Sequence, residues 1–156
     1  MKIRNNIVYG NGGIGVICSL DCHNVTIENN NVYNNTKMGI MLSRNTSDSN
    51  VRNNIVSNED RGIVISESHN DEIYNNMVSD SATGIDLDKE SLDNIIHNNT
   101  IVDIADPNDA LRIEDDAGGQ NTLYSNALID SATGANIDLG QVQDNTSSDD
   151  EVDNEQ

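Results

Sequence analysis

Apolar residues in this chain come in short runs that return every 22–27 residues. One run reads Ile3-Arg4-Asn5-Asn6-Ile7-Val8 and returns as Ile27-Glu28-Asn29-Asn30-Asn31-Val32 and Val51-Arg52-Asn53-Asn54-Ile55-Val56. It recurs as Ile73-Tyr74-Asn75-Asn76-Met77-Val78 and Ile96-His97-Asn98-Asn99-Thr100-Ile101, with a weaker copy at Leu123-Tyr124-Ser125-Asn126-Ala127-Leu128. A second run alternates with the first and opens on glycine: Gly15-Val16-Ile17-Cys18, Gly39-Ile40-Met41-Leu42, Gly62-Ile63-Val64-Ile65 and Gly84-Ile85-Asp86-Leu87. Ala110-Leu111-Arg112-Ile113 and Gly134-Ala135-Asn136-Ile137 complete that series. Charged Asp86 separates Ile85 from Leu87, and Arg112 separates Leu111 from Ile113. A period of two marks a half-buried strand, and no stretch carries helical spacing. Repetition of one strand-bearing unit predicts a solenoid, here an all-β, right-handed parallel β-helix of about six coils over residues 1–140.

In such a fold, like positions stack about 4.8 Å apart. The second Asn of the first run, at 6, 30, 54, 76, 99 and 126, meets itself on every rung. Asn tolerates left-handed backbone geometry, and its amide can donate to one neighbour while accepting from another, so the column predicts a ladder that satisfies turn groups. The glycine opening the second run is expected to supply a positive φ. Outward columns on the glycine-led sheet are Ile17, Met41, Val64, Asp86, Arg112 and Asn136, then Ser19, Ser43, Ser66, Asp88, Glu114 and Asp138. Arg44, Glu67, Lys89 and Asp115 lie just beyond, and Arg52 falls on another sheet.

Composition sharpens this picture. The chain has no Trp and no Phe, which suits a narrow, layered interior built from aliphatic residues. Its net charge is −19, from 27 acidic and 8 basic residues. Nucleic acid requires basic residues to displace counterions and is not expected as a partner, and an anionic membrane surface is disfavoured for the same reason. No stretch approaches the roughly 20 apolar residues of a membrane helix. Residues 1–80 hold 9 acidic and 6 basic side chains, whereas residues 81–156 hold 18 and 2, so an anionic ligand should approach the first half. Residues 141–156 carry six acids and no base, and read as a disordered acidic tail. Met1-Lys2-Ile3-Arg4 runs directly into the repeat with no recognisable leader or cap, so a missing N-terminal cap or flanking domain is expected.

Three groups carry candidate chemistry. Asp86, Asp88, Glu114 and Asp138 could hold Ca²⁺, which takes carboxylate oxygens, or could form a solvated acidic face interleaved with Arg112 and Lys89. Cys18 and Cys22, four residues apart, could form a small disulfide, remain free thiols, or join His23 in part of a metal site. His23 and His69 fall at the same turn position two coils apart.

The segment Tyr33-Asn34-Asn35-Thr36-Lys37-Met38-Gly39-Ile40-Met41-Leu42-Ser43-Arg44 resembles the β-helix mannuronan C5-epimerases, which act on alginate. The flanking repeats are similar to the same family across roughly residues 1–140. The resemblance implies that Arg44 neutralises a uronate carboxylate, a task suited to a bidentate guanidinium, so that a base can remove the C5 proton. It further implies an acidic polysaccharide as partner, an extracellular or cell-surface location, and no required cofactor. The family's Asp-Pro-His base motif aligns with Ile17-Cys18-Ser19, so its carboxylate, proline and imidazole are all missing. Asp21 and His23 are the nearby groups able to substitute as base. Ser19, Met41, Ser43, Lys37 and Arg61 would line the substrate. The expectation is a carbohydrate-binding or carbohydrate-modifying β-helix acting on a polyuronate, catalytically incomplete in this chain. If active, it would abstract a proton in the manner of an epimerase or lyase. The alternative is a non-catalytic structural or cell-surface module.

Overall fold

The computed structural model describes residues 1–106, 109–114 and 116–129, together with the backbone of 137–138 and 146–147. Nineteen short strands, β1 to β19, form three sheets in which every pairing is parallel. The first sheet stacks β1 (Lys2–Arg4), β4 (Thr26–Glu28), β7 (Asn50–Arg52), β10 (Glu72–Tyr74), β13 (Ile95–His97), β16 (Thr122–Tyr124) and β19 (Thr146–Ser147). The second stacks β2 (Ile7–Tyr9), β5 (Asn31–Tyr33), β8 (Ile55–Ser57), β11 (Met77–Ser79), β14 (Thr100–Val102) and β17 (Ala127–Ile129). The third stacks β3 (Ile14–Ser19), β6 (Met38–Ser47), β9 (Arg61–His69), β12 (Thr83–Asp88), β15 (Leu111–Ile113) and β18 (Ile137–Asp138). Every third strand thus returns to the same sheet one coil further on. Strand β19 carries the winding beyond residue 140; the rest of the segment expected as a disordered tail lies outside the described residues.

Each interior coil sends four aliphatic side chains inward. Ile27, Val32, Ile40 and Leu42 form one layer, Val51, Val56, Ile63 and Ile65 the next, and all are fully buried. Ile73, Val78, Ile85 and Leu87, then Ile96, Ile101, Leu111 and Ile113, repeat the arrangement. Burial of each such side chain contributes about 1.5–3 kcal/mol.

The paired asparagines divide their labour. The first of each pair, Asn5, Asn29, Asn53, Asn75 and Asn98, supplies the left-handed bend, with φ between 53° and 58°. The second forms the ladder: Asn54 Oδ1 accepts from both the amide and Nδ2 of Asn30, each at 3.0 Å. Asn54 Nδ2 in turn donates to Asn76 Oδ1 and to the Ile27 carbonyl, both at 3.0 Å. The same bonds link Asn76, Asn99 and Asn126. The left-handed geometry therefore belongs to the neighbouring residue, not to the ladder residue itself.

The glycine column has a different cause from the one expected. Gly15, Gly39, Gly62 and Gly84 lie inside third-sheet strands, and positive-φ glycines among the described residues are Gly10 and Gly118. A Cβ on Gly62 would sit 2.4 Å from Val78 Cγ1 and 2.6 Å from the Gly84 carbonyl oxygen. Close approach of the stacked coils, rather than turn geometry, excludes a side chain there. The outward register also needs one correction: Asp138, not Asn136, pairs with Arg112. Asn136 lies outside the described residues.

Candidate functional site

The third sheet carries the longest strands, and its outer face holds the residues with candidate chemistry. Strand β6 bulges between Ser43 and Thr46, and Arg44 and Asn45 at the bulge adopt φ of 53° and 62°. Two left-handed residues in succession leave the Arg44 side chain exposed, and it makes no ion pair among the described residues. The Asp21 amide donates to the Arg44 carbonyl at 3.2 Å, which sets Asp21 on the neighbouring rung. Its carboxylate accepts from Asn45 Nδ2 at 2.6 Å. Ser19 and Met41 are half-buried on the same face.

Other expected contributors do not join this group. Ser43 is buried and cannot line a substrate surface. His23 lies past the bend, with Nδ1 2.8 Å from Ser47 Oγ, and it shares a column with Ser47 and His69 as expected. Cys18 and Cys22 are joined in a disulfide across that bend, so they are neither free thiols nor partners of His23 in a metal site. Lys37 is exposed immediately before β6, seven residues from Arg44, or roughly 23 Å along an extended strand. Arg61, whose amide donates to the Lys37 carbonyl, is already engaged by acids.

Those acids form an ionic cluster on coils 3 to 5. Asp86 is fully buried although it points outward, because two guanidinium groups close over it. Arg61 Nη1 lies 2.8 Å from Asp86 Oδ2 and 3.3 Å from Asp88 Oδ2. Arg112 donates from Nε to Asp86 Oδ1 at 3.0 Å, and its two Nη atoms reach Asp109 and Glu114 at 3.0 and 2.9 Å. Burial opposes the charge on Arg61, but its bonds to Asp86 and Asp88 outweigh that and hold it protonated. Burial raises the Glu114 carboxyl above its ordinary value, with Asp86 and Asp88 adding to the effect.

Asp86 is therefore an arginine partner rather than a cation ligand. Of the residues expected to hold Ca²⁺, Asp88 and Glu114 do converge, and Asp116 completes the group, with oxygens within 4.8 Å of one another. Asp138 is described only as a strand position beside Arg112. Hard cations take such oxygens, yet here a cation would compete with Arg61 on Asp88 and Arg112 on Glu114. Asp116 also lines a surface cavity of about 340 Å³ with Glu67, Lys89 and Glu90. Sequence reasoning missed it because the turn after β15 offsets the repeat, and Asp116 meets the Lys89 and Glu90 amides.

Two buried acids were also overlooked. Glu59 extends a second ladder, accepting from Asn35 Nδ2 at 2.8 Å, while its Oε2 has no hydrogen-bond partner. Burial raises its carboxyl. Asp71 occupies a third ladder between Ser49 and Asn94, and burial pushes it up to about 6. On the first sheet, the position before each Asn pair stacks Arg4, Glu28, Arg52, Tyr74, His97 and Tyr124. Arg52 binds Glu28 at 2.7 Å, and the His97 ring lies between those of Tyr74 and Tyr124 at 5.1 and 4.8 Å. That column was legible in the repeat itself.

A solenoid of parallel three-sheet coils, with an Asn ladder at one corner, defines the class of protein. A family model described as right handed beta helix region matches residues 1–152, and the chain belongs to that family. None of the curated proteins and none of the solved structures matches it.

Proposed function

We propose that this β-helix is a carbohydrate-binding module that holds an acidic polysaccharide across the outer face of its third sheet, without catalysing a reaction on it. The observation that carries the reading is a pair of exposed cations, one just before β6 and one at its bulge, that make no ion pair among the described residues. Arg52, Arg61 and Arg112 are all paired with acids, whereas Lys37, immediately before β6, and Arg44, at its bulge, are exposed. An extended polymer bearing a carboxylate on each unit can reach both, with Met41 and the exposed Ile17 between them. Screening over a Debye length of about 8 Å damps repulsion from the acidic coils. The missing Asp-Pro-His motif and the tie between Asp21 and Asn45 argue for binding alone. The disulfide favours an oxidising, extracellular or cell-surface setting. No cofactor is needed for such binding.

A structural cell-surface module is the second reading. It is favoured by the continuous ladders and by the buried ionic cluster, which stiffen the rod without presenting a site. Titration with mannuronate oligomers separates the two. Binding that weakens at least tenfold in Arg44→Ala and falls further in Arg44→Ala/Lys37→Ala supports the first. Equal or absent binding in wild type and variants leaves the structural module.

A further inference from the structure

The second sheet presents twelve outward side chains on six strands, and none is charged. Both other sheets carry outward charges, and the chain as a whole is at −19. Ile7, Tyr9, Ile55, Met77 and Ile129 on this face are between 46% and 68% exposed, which makes half of the ten large exposed hydrophobic residues among the described ones. Asn31, Ser57, Ser79 and Thr100 interleave with them. The bend along one border is lined by exposed Asn29, Asn53, Asn75 and Asn98.

We propose that this face is a binding strip for an uncharged glycan chain, separate from the acidic-polysaccharide reading of the third sheet and independent of it. Three physical points select that occupant. Six rungs at about 4.8 Å by three residues at about 3.3 Å make a strip of roughly 24 by 10 Å. At about 240 Å², this is well below the roughly 800 Å² per partner of a stable protein interface. A second copy would also bring two chains of −19 together for that small contact. A polyanion finds no cation on the strip. A purely apolar ligand would strand the Asn, Ser and Thr groups without partners, a cost of a few kcal/mol for each. An extended sugar chain meets both demands: its C–H faces cover Ile55, Met77 and Tyr9, and its hydroxyls exchange hydrogen bonds with the interleaved amide and hydroxyl groups.

The test is calorimetric titration of the full chain with neutral hexasaccharides of glucose, xylose and mannose, and with oligomannuronate for comparison. At least one neutral hexamer is expected to bind, with an affinity unchanged by added salt because no charge takes part. Ile55→Asp/Met77→Asp should weaken it at least tenfold, about 1.4 kcal/mol. Ser57→Asp, on the same face, should give the same loss and replaces the double variant if that one folds poorly. Absence of binding by all three neutral hexamers overturns the proposal, as does undiminished binding by the charged-face variants. Self-association of the wild type that Ile55→Asp/Met77→Asp abolishes overturns it in favour of a second copy.

Discussion

Asp71 is a carboxyl group in a column that elsewhere uses amides. Its rung neighbours Asn94 and Asn121 each place Oδ1 on the preceding backbone amide and donate Nδ2 to a carbonyl one coil back, Ser68 and Ser91 respectively. Asp71 Oδ1 accepts from the Ser49 amide at 2.9 Å in the same way. Its Oδ2, however, accepts from Ser68 Oγ, which also lies 2.9 Å from the Thr46 carbonyl. A hydroxyl has one proton to give, so Ser68 serves only one of these two acceptors while Asp71 is ionised, whereas a protonated Asp71 would let both contacts form. Burial agrees, raising the carboxyl from 3.8 to about 6. The sign follows from proton linkage. Between these values the unfolded chain has lost its proton and the folded chain has kept it, so stability falls as pH rises from about 4 and stops falling above about 6. At 1.36 kcal/mol for each pH unit, the loss is on the order of 3 kcal/mol. In a chain of this size that corresponds to roughly 6–12 °C in Tm. Asp71→Asn removes the titration and matches the chemistry of Asn94. Thermal unfolding followed by circular dichroism from about pH 4 to pH 7 should show the two proteins diverging through the window, with the variant the more stable at neutral pH. Parallel curves, or a variant less stable at pH 7, refute the reasoning.

Glu59→Asn follows Asn11 and Asn35 in the second ladder and removes the unpartnered Oε2; it should stabilise by about 1 kcal/mol at neutral pH, read as a higher Tm. Gly62→Ala forces a Cβ against Val78 and the Gly84 carbonyl and should cost about 1–3 kcal/mol in chemical denaturation. Asn54→Ala removes the acceptor of both Asn30 donors and the donor to the Ile27 carbonyl, so a loss of about 3 kcal/mol or more is expected in the same assay. Arg112→Ala uncovers the buried Asp86 carboxylate, leaving it to Arg61 alone, and should destabilise by about 3–5 kcal/mol.

Backbone periodicity was legible in the sequence because stacking translates one coil onto the next. Ile27, Val51, Ile73 and Ile96 can be aligned by eye, and they share one column. The Asn ladder was legible for the same reason. What escaped notice was set by contacts that repetition does not encode. The glycine column reports a close approach between coils, which looks identical in sequence to a demand for positive φ. Asp86 reads as a surface acid from its alternation, yet Arg61 enters from the start of β9 and Arg112 from the next rung to bury it. Asp116 depends on a turn whose length breaks the repeat. The uncharged second face was visible as the residues flanking Val8, Val32, Val56, Val78, Ile101 and Leu128, but only the three-sheet geometry makes those positions a single surface.

Every site assignment depends on residues 22–27 apart lying side by side. Methyl and amide nuclear Overhauser contacts in an isotope-labelled sample test this directly. The stacked register predicts contacts from Val32 to Val56, from Val56 to Val78 and from Val78 to Ile101. Antiparallel contacts between consecutive strands, such as β10 with β11, in place of that series would contradict it.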